Sequence, residues 1–259
     1  MGTKRRRRTR IIVGSGLAVI ALIVVAVIGV RLWLTAEPGE VGVDETLDEF
    51  REQAAEVVIE TPVDGVYVYD TSGMEQVDVL GGDSHEYPAE TAMTVMTEGC
   101  GVRTTWAPLD GRSETMLLCL RDGGAVLHES TTVHSFFRQT QATQYSCDPN
   151  LWWIPPEGVI EWEGQCTSPD RTTHRVARVV STDSLVVDSE TRDAVHVRYT
   201  DTLAGASTGT VTGDLWLDQR TGLVLRERIR IDSHNDTVVG EVVFIEELEL
   251  TLRSLEPLR

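Results

Sequence analysis

The chain has 259 residues and a formal charge of −18, and that charge is unevenly placed. Of its 23 Lys and Arg, six stand in the first ten residues and Arg31 follows closely, so the remainder sets 16 Arg against all 41 acidic residues, a net of −25. A surface of that sign repels nucleic acid and anionic headgroups, which excludes both as partners of this part of the chain.

Residues 1–10, MGTKRRRRTR, form a basic tail, and Ile11 to Val30 follow without a charged side chain. At about 1.5 Å per residue such a run covers the roughly 30 Å hydrocarbon core of a bilayer. Cationic flanks stay inside, so residues 11–35 read as a transmembrane signal-anchor with the C-terminal part extracytoplasmic. A cleaved signal peptide is the rival reading, but its apolar region is shorter, about 7–15 residues, and Trp33-Leu34-Thr35-Ala36 is a poor cleavage site. The absence of Lys beyond Lys4, with abundant Arg, Ala, Val and Gly, suggests a bacterium with a high-GC genome.

Residues 36–60 read as an acidic linker and one amphipathic helix. Thr46-Leu47-Asp48-Glu49 has the form of a capping box, and Leu47, Phe50, Ala54 and Val57 recur at helical spacing. Residues 61–257 then turn to strand patterns. GVYVYD is followed by T-S-G as a turn and by MEQVDVLGG. Further strands are expected at 91–98, 102–107, 113–120, 124–137, 173–180, 184–188, 193–202, 210–218, 222–231 and 237–253. The fold class is mainly β: one exported domain, a curved or partly closed antiparallel sheet, half-barrel-like, with one helix. In the last hairpin, centring the turn on residues 233–236 places Ile231 opposite Val238, Leu225 opposite Phe244 and Arg228 opposite Glu241. That leaves Glu227 as the one charge on the apolar face.

The four cysteines repeat one pattern. Seven residues lead from Cys100 to Pro108 and seven from Gly111 to Cys119, around P-L-D-G; Cys147 and Cys166 flank P-P-E-G in the same way. Two hairpins with opposed cysteines predict disulfides Cys100–Cys119 and Cys147–Cys166, the first give or take the one-residue shift of a bulge at Gly111. A duplication and convergent hairpin logic both account for the repeat. The wide spacing and exported setting speak against zinc or redox pairs, so no metal or cofactor is expected.

No catalytic residue is expected either. Gly205-Ala206-Ser207-Thr208-Gly209 matches a nucleophile elbow, but that motif needs a helix after the Ser, and a strand pattern follows. His128 and His134 share strand parity and stand about 20 Å apart, while His85 and His196 have no partner visible in sequence. Asp232 and Asp236 around His234 read as a polar hairpin loop. Trp152 and Trp153 alternate, so one enters the core and the other is the candidate for ligand or partner contact.

The pattern GDLWLDQRTGLVLRERIRID followed by VVGEVVFIEELEL resembles the C-terminal hairpins of the LolA, LppX and RseB group of bacterial envelope proteins. The resemblance implies a curved sheet whose concave face receives lipid or lipidated polypeptide. The expectation is therefore a non-catalytic binding module, single-pass in the cell membrane, for an apolar, lipid-like ligand or an envelope protein. The alternatives are a tethered hydrolase and a structural subunit of an envelope complex.

Overall fold

A computed structural model describes residues 42–46, 62–156, 158–237 and 240–259. The basic tail, the expected anchor and most of the expected helix lie outside them. Among the described residues no helix is long and apolar enough to cross a membrane. Residues 43–46 are helical, and Thr46 donates through both its amide and its hydroxyl to the Gly42 carbonyl. Thr46 is thus already inside a turn rather than capping one.

The strands are β1 (Gly65–Val77), β2 (Asp83–Glu86), β3 (Glu90–Glu98), β4 (Gly101–Leu109), β5 (Arg112–Arg121), β6 (Gly124–Phe136) and β7 (Gln139–Cys147). They continue with β8 (Trp152–Ile154), β9 (Glu161–Thr167), β10 (Arg171–Val187), β11 (Glu190–Gly205), β12 (Ser207–Asp218), β13 (Val224–Thr237) and β14 (Gly240–Leu252). All pair antiparallel, and β1 pairs with β14 as well as with β3, which closes 12 of the strands into a barrel. The half-barrel expected from sequence is a closed one. Closure removes the exposed sheet edges that an open sheet of this length would present.

Several expected turns are continuous strand. β1 runs through Thr71-Ser72-Gly73, and Gly73, at φ 129°, lies against β14 so closely that a Cβ would overlap the Glu247 carbonyl. Asp232 and Asp236 likewise lie within β13, not in a loop, and the strands expected at 173–180 and 184–188 form one long strand that ends at Val187, with a register shift between Val179 and Ser181. The last hairpin turns later than expected: Ile231 pairs with Glu246, Leu248 with Ile229, and Arg228 with Glu249. The displacement is an even number of residues, so every side chain keeps its expected face.

Both disulfides join the expected cysteines, with Cα separations of 4.8 Å for Cys100–Cys119 and 4.0 Å for Cys147–Cys166. The first hairpin turns at Asp110-Gly111, with Leu109 opposite Arg112. Its register shift falls between Trp106 and Leu109. That places the bulge beside Pro108, which has no N–H for the ladder, rather than at Gly111. The second hairpin is not formed as expected. Cys147 and Cys166 do face each other, but across β7 and β9, while β8 leaves to pair with β6.

The β7–β9 seam has two register pairs, Ser146–Thr167 and Cys147–Cys166, whereas the β4–β5 hairpin has a long ladder. Both bridges close loops of 19-residue separation, worth about 3 kcal/mol each by chain entropy. Cys147→Ala with Cys166→Ala should therefore cost more than Cys100→Ala with Cys119→Ala in urea denaturation, and should raise amide exchange along 139–147 and 161–167. Equal losses would mean that the seam needs no staple.

Candidate functional site

Alternation along β1 aims Tyr67, Tyr69, Thr71, Glu75 and Val77 inward, and along β14 it aims Phe244, Glu246, Leu248, Leu250 and Leu252 inward. The barrel interior is thus apolar toward one end and ionic toward the other.

The ionic end is built around Glu75, which stands in register between Glu246 of β14 and His85 of β2. Like charges placed directly opposite each other repel. Arg112, at the start of β5, answers this: its Nη2 lies 2.9 Å from Glu246 Oε1 and its Nε 3.6 Å from Glu75 Oε2. His85 Nδ1 and His134 Nδ1 each stand 3.0 Å from a different oxygen of Glu75, and the Tyr87 hydroxyl donates to Glu246 Oε1 at 2.7 Å. Glu75 and Glu246 are both only 1 % exposed, while the His134 side chain is 26 % exposed and opens the cluster outward. Burial works to raise the Glu75 pKa. Hydrogen bonds from His134 and His85, with the charges of His134 and Arg112, outweigh it and hold the carboxyl at about 2. Arg112 is kept charged in the same way: burial opposes its charge, and Glu246 leads the groups that restore it.

Further along the interior, Arg175 grips Asp201 through two hydrogen bonds of 2.7 and 2.8 Å and lies 3.8 Å over the Tyr199 ring. Tyr199 itself lies across Gly213, where a Cβ would strike the ring. Glu227 sits between Leu215 and Leu250 in the ladder, and burial, followed by the Glu114 carboxylate, pushes it up to about 8.

At the apolar end a cleft is lined by Met93, Val95, Met116, Leu118, Trp153 and Ile154, with Leu120 half exposed at its edge. The open space along it, about 460 Å³, includes the solvent at its mouth, and the enclosed part is about 30 Å³. Trp153 is 4 % exposed and its indole N–H has no hydrogen-bond partner among the described residues. An unpaired buried donor costs about 1–3 kcal/mol. Trp152, as alternation requires, points away from the core and is partly exposed; its carbonyl accepts from the Trp162 indole.

The histidines fall differently from expectation. His128 is the extra residue of a β6 bulge, between the pairs Leu117–Glu129 and Leu118–Leu127. The shared parity with His134 is broken there, so His128 is exposed while His134 faces Glu75. His85 and His196 both have acid partners that only the sheet brings near. His196 Nε2 is 2.6 Å from Asp214 Oδ1, and its ring stacks on Trp216 at 4.2 Å on the barrel's outer wall. Ser207 opens β12 and pairs with Asn235, so a strand follows it and no elbow forms. His134 backed by Glu75 has the layout of a base held by an acid, but among the described residues no hydroxyl or thiol bonds to it. Glu75 and Glu246 were not singled out by sequence, and His134 was weighed only together with His128, although unbroken alternation through β1 would have placed Glu75 inside. Compared with known proteins, the chain matches no family model, no curated protein and no solved structure.

Proposed function

We propose that the chain is a membrane-tethered extracytoplasmic β domain that works as a non-catalytic binding module, taking the apolar part of a lipid-like ligand at the cleft beside Trp153. The cleft carries this reading: its wall is mostly Met, Val and Leu, and it includes Trp153, whose buried indole donor has no partner among the described residues, which resembles the mostly apolar lining with few polar groups of small-molecule sites. The void inside it is narrow, about 30 Å³, about one water's share of liquid volume. The site therefore suits the end of a chain or one apolar group rather than a whole engulfed lipid. Two disulfides fit an oxidising compartment, and the basic tail before an apolar run supports the tether. The resemblance to the envelope group that receives lipids and lipidated polypeptides points the same way.

Native mass spectrometry of the full chain extracted from its own membrane tests this. A lipid mass should accompany the wild type and be lost from Leu120→Glu, which places a charge at the mouth without disturbing a buried position. A bound polypeptide in place of a lipid would select the envelope-partner reading. An unloaded wild type, or a variant carrying the same load, would sink the apolar-ligand reading.

A further inference from the structure

We propose that Glu75, His134 and Glu246 form a binding site for one divalent transition-metal ion of the zinc class, at the ionic end of the barrel and separate from the apolar cleft. Each offers one ligand atom, and the three atoms lie within 4.8 Å of one another. Zinc bonds to imidazole nitrogen and carboxylate oxygen are about 2.0–2.2 Å, so small rotations bring the three atoms onto one ion. Three protein ligands with one open position is the pattern of sites that keep a bound water, and an imidazole among carboxylates favours zinc and its neighbours over magnesium or calcium.

The surroundings meet the other requirements of such a site. Each carboxylate has one oxygen held from outside the trio: His85 Nδ1 is 3.0 Å from Glu75 Oε1, and Tyr87 donates to Glu246 Oε1 at 2.7 Å. Those contacts leave Glu75 Oε2 and Glu246 Oε2 turned to His134 and Arg112. Outer partners that fix ligand orientation are a regular part of metal sites. The partly exposed side of His134 gives an ion a way in.

A second, independent observation comes from Arg112. Its side chain is 3 % exposed, yet among the described residues Nε and Nη1 have no hydrogen-bond acceptor, and Nε faces Glu75 Oε2 at 3.6 Å. Buried guanidinium donors do not stay unpaired without cost. Water on an ion held by Glu75 and Glu246 supplies an oxygen beside these donors. Charge agrees: among the described residues Arg112 is the one guanidinium at ion-pair distance from Glu75, Glu246 and, at 3.8 Å, Glu114. A divalent cation balances the two remaining negative charges.

The test uses the full chain, purified without a histidine tag and stripped with EDTA. Titration calorimetry with Zn²⁺ should give one ion per chain, and Co²⁺ should give visible absorption bands of a nitrogen-and-oxygen site. His134→Ala should weaken binding by more than the roughly 10–100-fold typical of losing an outer partner, and should abolish the cobalt bands. Tyr87→Phe should weaken it within that range. His128→Ala, at an exposed histidine, should change nothing. Because Glu75→Gln and Glu246→Gln alter buried groups, circular dichroism accompanies them, and His134→Ala, at a partly exposed position, carries the decision if they unfold. Absence of saturable binding, binding unchanged in His134→Ala, or equal binding of Mg²⁺ and Ca²⁺ would each overturn the assignment.

Discussion

Arg112→Met in the metal-free protein should lower stability by about 3–5 kcal/mol, the range for breaking a buried ion pair from one side. The reason lies in the register. Glu75 and Glu246 are directly paired across β1 and β14, both almost fully buried, and Arg112 is the guanidinium that touches both. Methionine fills much of the same volume, so the loss is electrostatic rather than a cavity. The two carboxylates then face each other with their other donors, His85, His134 and Tyr87, unchanged. Adding Glu246→Gln to Arg112→Met removes one of the two charges and should recover a large part of the loss. As a comparison, Arg198→Met breaks an ion pair with Asp214 on the outer wall, where Arg198 is about half exposed, and should cost at most about 1 kcal/mol. Urea midpoints with unchanged slopes would report these differences. An Arg112→Met variant as stable as Arg198→Met would show that the interior carboxylates need no counter-charge.

What the sequence disclosed and what it hid follow from the period of two. Strands with apolar residues at spacing two, such as Glu90–Glu98 and Val224–Thr237, stood out, and Glu227 could be recognised as a charge on the inner face. Gln139–Cys147, rich in Gln and Thr, carries no apolar rhythm because most of it is exposed, and it was missed. Alternation survives an even slip, which is why the faces of the last hairpin were right although its turn was placed too early. It does not survive a bulge or a misplaced turn. The extra residue at His128 set His128 and His134 on opposite sides. Reading Thr71-Ser72-Gly73 as a turn broke the rhythm of β1 just before Glu75 and hid the centre of the ionic cluster. Spacing alone paired the cysteines correctly, since near-equal arms bring them close: Cys147 directly opposite Cys166, and Cys100 one residue from Gly101, the partner of Cys119. It could not show that the arms of the second pair belong to strands separated by the β8 excursion.

Glu227 should make the protein lose stability as pH rises from about 5 to 8. Its carboxyl is 7 % exposed, flanked in the ladder by Leu215 and Leu250, and faced by Glu114, Glu246, Arg175, Arg112, Tyr69 and Tyr199. Burial first, and the Glu114 charge second, raise its folded pKa to about 8 against the pull of Arg175. The unfolded value is about 4.3. A folded pKa above the unfolded one means that the native state holds the proton more tightly. The stabilisation is therefore complete below about pH 4.3 and is lost as pH climbs through 8, at up to roughly 1.4 kcal/mol per pH unit between them. Glu75 acts in the other direction, because its folded value of about 2 lies below the unfolded one. Its contribution is present above about pH 4.3 and falls away only in acid, outside the window in question. Glu227→Gln keeps the shape and removes the proton. It should match the wild type near pH 4.5, exceed it by several kcal/mol near pH 8.5, and flatten the slope between. Urea midpoints at pH 5, 6.5 and 8 measure that slope, and a wild type and variant falling in parallel would show that Glu227 is ionised inside the barrel after all.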